Sequence, residues 1–267
     1  MILASGSPVL TGGAPFWVAL AAIATYAVAA LRKGAWALTL AWLLHLASLV
    51  LDISGWGATE PGARLGFAPV LSVTVWLVIA VHVVESRFVP LPHVQRWLAC
   101  AGVVVVVLAL GFPGDPRQFG SAVAPWHFAL GVAAYGLFGA AVVHATLLDA
   151  AERRLRTHER GAEPPSGGMP LLQLERLTFR FVEVGFAVLS AALLLGVLSG
   201  APWRWNHKTI LSLMGWAVFA ALLTGRHLRG WRGRQATRWL YVGAVLLLLS
   251  YVGYRFVLEV VLGRGAS

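Results

Sequence analysis

Apolar runs long enough to cross a lipid bilayer recur from one end of this chain to the other, and they decide its class. A helix needs ~20 residues to traverse the hydrocarbon core. About eight stretches approach that length: Ala14–Leu31, Ala35–Leu51, Phe67–Val84, Trp97–Phe112, Val123–Leu148, Phe181–Leu198, Thr209–Thr224 and Thr237–Val261. The fourth is short and ends at Gly111-Phe112-Pro113-Gly114. Hydrophobic residues make up 58% of the chain and charged residues 12%. A soluble domain of this length carries roughly twice that charge. The pattern predicts an all-α polytopic membrane protein, a bundle of about eight transmembrane helices forming a single domain over residues 1–267.

The formal net charge of +10 points to the membrane surface and not to nucleic acid. Its cations lie in particular loops between apolar runs, and no soluble basic domain interleaved with aromatics exists to hold a nucleic acid. The first, third, fifth and seventh loops hold Arg32, Lys33, Arg87, Arg96, Arg153, Arg154, Arg156, Arg160, Arg176, Arg180, Arg226, Arg229, Arg232, Arg234 and Arg238. The opposite side holds Arg64, Arg117, Arg204, Lys208, Arg255 and Arg264. Fifteen against six places the odd loops in the cytoplasm and both termini outside. The expected location is a bacterial inner membrane, with the lipid bilayer as the first partner.

Several chemistries are absent. The single cysteine, Cys100, cannot form an intramolecular disulfide, and there is no CxxC or CxxCH. Inside an apolar run it reads as a small buried residue. The opening MILASGSPVL has no basic n-region, so the first apolar run is expected to be retained and not cleaved. No HxxxH, HExxH or paired carboxylates lie on any span, which argues against a zinc or di-iron centre. No catalytic triad and no phosphate loop suggest an enzyme. The longest connection, Asp149 to Arg180, should extend the fifth helix through DAAERRLRTHER and break at Glu-Pro-Pro-Ser-Gly-Gly. A new helix should begin at Pro170.

Eight histidines remain as the chemical candidates. His45 falls about ten residues into the second span, roughly 15 Å deep and near the midplane. An ionisable group at that depth marks function by default, whether as a ligand or as a neutral histidine bonded to another helix. His127 opens the fifth span near the outer surface, beside Trp126. His207 lies just outside the seventh span. His82, His144 and His227 lie towards the arginine-rich side, where contact with water or headgroups is expected. Isolated histidines from different helices suit heme iron, which takes one or two axial histidines among apolar and aromatic walls.

Two segments bear on that reading. In APWHFALGVAAYGLFGAAVVHA, residues His127, Gly131, Ala134, Tyr135 and Phe138 share a face by helical spacing. Its small residues admit either a neighbour helix or a flat ligand. In PWRWNHKTILSLMGW, Trp203 and Trp205 alternate ahead of the seventh span, with Asn206, His207 and Lys208 following. They form either an interfacial belt or a platform, where Lys208 could meet a carboxylate such as a heme propionate.

The stretch PWRWNHKTILSLMGWAVFAALLTGRHLRGWRGR resembles the tryptophan-rich "WWD" region and following helix of the cytochrome c assembly superfamily, which includes CcsA, CcmC and CcmF. LLHLASLVLD, PWHFALGVAAYGLFGAAVVHATLLDAAERRL, PLLQLERLTFRFVEVGFAVLS and RGWRGRQATRW extend the likeness over nearly the whole chain, closest to the short YpjD/HemX branch. The resemblance implies a CcsA-like bundle that binds heme b. It implies His127 as the outer heme ligand, His45 as the histidine within the bilayer, and Trp203, Trp205, Asn206 and Lys208 around the macrocycle; Tyr135, on the face of His127, and His207, within the platform but without a counterpart in the relatives, are further candidates from the residues alone. The chain departs from the pattern in three ways: SGAPWRWN is abbreviated, Asn206 stands for the relatives' aspartate, and no outer histidine follows His207. Bis-histidine ligation by the family pattern is therefore not available. The function implied is heme handling in cytochrome c biogenesis without covalent catalysis. The alternatives are a heme-free regulatory protein binding a cytoplasmic heme-biosynthesis enzyme, or a small-molecule transporter.

Overall fold

The computed structural model describes residues 13–31, 35–55, 63–88, 91–117, 121–157, 170–199 and 205–263. Its helices are α1 (Ala14–Leu31), α2 (Ala35–Ile53), α3 (Phe67–Glu85), α4 (Pro92–Gly111), α5 (Ala124–Thr157), α6 (Leu171–Leu198), α7 (His207–Arg229) and α8 (Gly233–Leu248). Two π-helical turns, Leu249–Gly253 and Val257–Val261, carry α8 onward. Eight helices among the described residues are long and apolar enough to cross a membrane. This is an all-α polytopic membrane protein. Helices suit the hydrocarbon because each satisfies its own backbone donors and acceptors there.

Hydropathy locates the helices but shortens them. α4 starts five residues before the expected Trp97, because His93, Gln95 and Arg96 interrupt the apolar run without interrupting the helix. Pro92 occupies its first turn, where a missing N–H is harmless. α5 continues to Thr157 through the charged DAAERRLRT, and α6 begins just after Pro170, as the sequence suggests. α7 runs further than its apolar stretch at both ends. It starts at His207, capped by Asn206, and stops where Gly230 turns left-handed at φ 65° and returns its N–H to Gly225 O. Arg226, His227 and Arg229 fill the last turn, where cations complement the helix dipole.

The chain forms two compact units. Unit one comprises residues 1–84, 92–118 and 255–267. α1 lies against α2 and α4. Ala19, Ala22, Tyr26 and Ala29 form its buried stripe, in which the three alanines let helices approach closely. The short strands β1 (Ala63–Leu65) and β2 (Asp115–Arg117) pair antiparallel, Ala63 opposite Arg117. Beside them Gly66 and Gly114 nearly touch, and a Cβ on Gly66 would lie 2.8 Å from Gly114 Cα. Glu259 completes this corner: its carboxylate accepts the Phe67 N–H at 3.3 Å, at the positive end of α3, and pairs with Arg255 at 3.4 Å. Cys100 differs from expectation, since it is exposed on α4. In a bilayer an outward-facing thiol still sits among apolar neighbours, so an apolar run does not require burial inside the protein.

Unit two comprises residues 85–91 and 119–254. α5 lies along α6 and α8, and α7 along α8. Phe138 and Phe219 stack at the centre with centroids 3.8 Å apart. Gly185 seats the Phe138 ring and Gly243 seats the Phe219 ring, where added Cβ atoms would lie 3.1 and 2.8 Å away. At the arginine-rich end, Glu175 accepts from Arg226 at 2.9 Å and faces Arg232 at 3.8 Å. The Arg226 guanidinium also lies 3.8 Å over the Phe179 ring. Asp149 accepts from Thr237 and Tyr241, each at 2.9 Å, which ties α5 to α8.

Candidate functional site

His127 lies in the first turn of α5 and is partly buried. Its Nδ1 is 2.7 Å from Ala192 O of α6, so Nδ1 carries the hydrogen and donates it. Gly196 lies one turn further along α6, where a Cβ would come within 3.0 Å of the imidazole Cε1. The ring is therefore fixed in tautomer and backed by a glycine. Nε2 makes no hydrogen bond among the described residues. At Gly131, one turn along the same face, nothing among the described residues comes within 4 Å of a Cβ position. The lower part of that face closes differently: Ala134 and Phe138 enter the core of unit two.

The residues ahead of α7 assemble nearby in the same unit. Trp205 is 71% exposed. Asn206 caps α7, its Oδ1 accepting the Thr209 N–H and hydroxyl, each at 2.9 Å. His207 is exposed as the first helical residue, not outside the helix as hydropathy suggests. Lys208 Nζ stands 5.0 Å from the Tyr251 ring centroid, and Tyr251 meets Phe128, the neighbour of His127, at 6.1 Å. A cation–aromatic line thus joins the start of α7 to the start of α5. Trp203 lies outside the described residues.

Tyr135 has a bond that the sequence does not reveal. Its hydroxyl reaches Leu247 O at 2.5 Å and Ser250 Oγ at 2.8 Å. Leu247 precedes the change from α to π winding at Leu249, where the regular ladder of backbone bonds is disturbed. Tyr135 and Ser250 supply polar partners there, as a lipid-embedded carbonyl requires.

His45 belongs to unit one and is 1% exposed. Nδ1 is 3.0 Å from the Tyr26 hydroxyl of α1, and Nε2 is 2.8 Å from Ser72 Oγ of α3. One turn away on α2, Trp42 stacks on Trp76 of α3 at 5.1 Å and 8°, and Trp76 Nε1 donates to Trp42 O. Tyr26, Ser72 and the tryptophan pair are absent from the sequence-derived site, since partners this far apart in the chain leave no local pattern. Intramembrane polarity was the only available signal.

Two other histidines differ from expectation. His82 and His144 are each 4% exposed, not facing water. His144 Nδ1 donates to Ala140 O at 2.8 Å, and its Nε2 meets Glu85 at 3.0 Å. Glu85 provides the polar partner that allows burial near the charged end. His227 is exposed, as expected. No cluster of three or more metal-ligating side chains occurs among the described residues.

Fold and composition define the class as a polytopic α-helical membrane protein, with a histidine and an aromatic–cation line at one end of unit two. Comparison narrows it: the family model described as cytochrome c assembly protein matches residues 16–262, and the chain belongs to that family. An uncharacterised 28.8 kDa protein of Azospirillum brasilense is 30% identical over 236 residues, covering 81% of this chain and 85% of that one. The cytochrome c biogenesis protein CcsA of Gloeobacter violaceus is 32% identical over 91 residues, covering 32% of this chain and 27% of its own length. CcsA of Synechococcus sp. strain CC9605 is 35% identical over 86 residues, covering 30% and 28%. The chain thus spans under a third of the CcsA proteins it matches. No solved structure matches it.

Proposed function

We propose that this protein binds heme and handles it during cytochrome c assembly, with His127 as an axial ligand. One observation carries the reading. The His127 ring donates from Nδ1 to Ala192 O at 2.7 Å, which leaves the Nε2 lone pair for iron. Ligand histidines are held in this manner, with the second nitrogen bonded to a carbonyl or carboxylate that sets the tautomer. The room beside Gly131 would admit a macrocycle edge. Trp205, Tyr251 and Phe128 would supply aromatic surface, and Lys208 a cation for a carboxylate. Asn206 and Tyr135 would act indirectly, by holding the start of α7 and the π turn after α8. Exposed His207 and, by the sequence, Trp203 would lie at the rim.

When bound, heme supplies a redox-active iron in an apolar macrocycle. Heme b fits the chain's lack of a CxxCH attachment motif. The protein would present heme without covalent catalysis, working beside cytochrome c maturation proteins in a bacterial plasma membrane. The fifteen-to-six loop asymmetry supports cytoplasmic arginine loops and an outward His127. A hemin titration of heme-free protein in mild detergent tests the reading. Saturable binding with a Soret band that weakens in His127→Ala is expected. Non-saturable partitioning identical in the variant would refute it.

A heme-free regulatory role is favoured by one observation, that both ring nitrogens of His45 already have protein partners. In that reading the exposed Arg176, Arg229, Arg234 and Arg238 face a cytoplasmic partner such as a heme-biosynthesis enzyme. Charge reversal at these four positions should then abolish partner recovery while the heme spectrum stays blank.

A further inference from the structure

α8 has two unlike faces. Ala236, Thr237, Leu240, Gly243 and Leu247 are buried. The opposite face carries Arg234, Arg238, Val242 and Val245, which follow one another at helical spacing and are all exposed. Val242 and Val245 are 51% and 54% exposed, and on a membrane-crossing helix such side chains meet acyl chains. The span that α8 begins runs from Gly233 to Val261, 29 residues. At 1.5 Å per residue it is about 44 Å long, against about 30 Å of hydrocarbon. Its first turn or so therefore stands in the headgroup layer, where Arg234 and Arg238 lie. The valines follow below them in the hydrocarbon.

These two arginines have no counterion of their own. Neither pairs with a carboxylate among the described residues, whereas Arg180 lies 3.8 Å from Glu183, and Arg226 and Arg232 share Glu175. The carboxylates of α5 nearest to α8 are turned to its other side. Asp149 accepts from Thr237 and Tyr241, and Glu152 lies against Gly233. Like charges one helical turn apart disfavour the helix, so an anion supplied from outside would offset the repulsion.

We propose that this face of α8 is a docking site for an anionic phospholipid, with its phosphate on Arg234 and Arg238 and its acyl chains along Val242 and Val245. Guanidinium groups suit phosphate because they donate paired N–H groups to its oxygens. The single stripe, charged above and apolar below, matches the two parts of a lipid. A cytoplasmic protein would reach the arginines but not the valines beneath them. The site is separate from His127 and does not depend on heme.

Native mass spectrometry of the full-length protein in mild detergent, titrated with phosphatidylglycerol or phosphatidylcholine, tests the site. Saturable retention of phosphatidylglycerol over phosphatidylcholine is expected. Arg234→Gln with Arg238→Gln should weaken it roughly 25-fold, about fivefold for each arginine. Arg180→Gln removes the same charge from α6, where Glu183 already faces it, and should change retention less than twofold; circular dichroism checks that each variant is folded. An equal loss in Arg180→Gln would show attraction to overall charge and overturn the site. Equal retention of the two lipids by the wild type would also overturn it, and a protein partner lost with the same two arginines would then identify the surface as a protein dock. Glycerol 3-phosphate binding as tightly as phosphatidylglycerol would overturn the part given to Val242 and Val245.

Discussion

Gly196→Ala is a small perturbation aimed at the geometry on which the His127 assignment depends. The added methyl would lie 3.0 Å from His127 Cε1 and 3.2 Å from Nδ1. Ordinary carbon contacts lie near 3.5–4.0 Å, so the ring must retreat by about half an ångström. The bond from Nδ1 to Ala192 O, 2.7 Å long, runs to the same helix and must lengthen or bend. A neutral hydrogen bond contributes about 1 kcal/mol net, and much of that is at stake. If the bond is what fixes Nε2 for iron, hemin affinity should fall roughly fivefold. Hemin titration by Soret absorbance measures this, with circular dichroism to confirm an intact helix bundle. Affinity and spectrum both unchanged in a folded Gly196→Ala protein would show that the α6 clamp does not orient the ligand.

Two further outcomes follow from the packing. Asn206→Ala removes the acceptor of two hydrogen bonds at the start of α7 and should destabilise the protein by about 1 kcal/mol in detergent unfolding; Asn206→Asp should be neutral, and equal losses from the two would contradict the capping role. Glu175→Gln removes the charge facing the partly buried Arg226, so a loss of about 3 kcal/mol is expected; a loss below about 1 kcal/mol would mean that the Phe179 ring and Arg226's surroundings suffice.

Much of the fold was legible because lipid imposes one simple rule on every crossing segment. The eight helices follow from apolar length, and the new helix at Pro170 follows from backbone chemistry. The ends of α4 and α7 were not legible in hydropathy, because both continue as polar helix past the apolar run, whereas the charged DAAERRLRT marks the extension of α5 in the sequence. Inward and outward faces were also hidden: Cys100 and buried Ala99 are equally apolar, and only the neighbouring helices separate them. Among the candidate residues, the sequence singles out His45 by its depth and His127 by its place at the start of the fifth span. It does not identify Ala192, Gly196, Tyr26 or Ser72, which act through contacts between distant segments. Asn206 shows the reverse case. Against the family pattern it looks like a lost aspartate, yet asparagine and aspartate cap helices equally well, and the capping bond is made.

The visible spectrum of the protein purified in mild detergent from heme-replete cells tests the heme assignment most directly. The wild type should carry a Soret band, and His127→Ala, with its helices intact, should lose most of it. A folded wild-type protein without heme, or a Soret band of equal intensity in His127→Ala, would contradict the assignment.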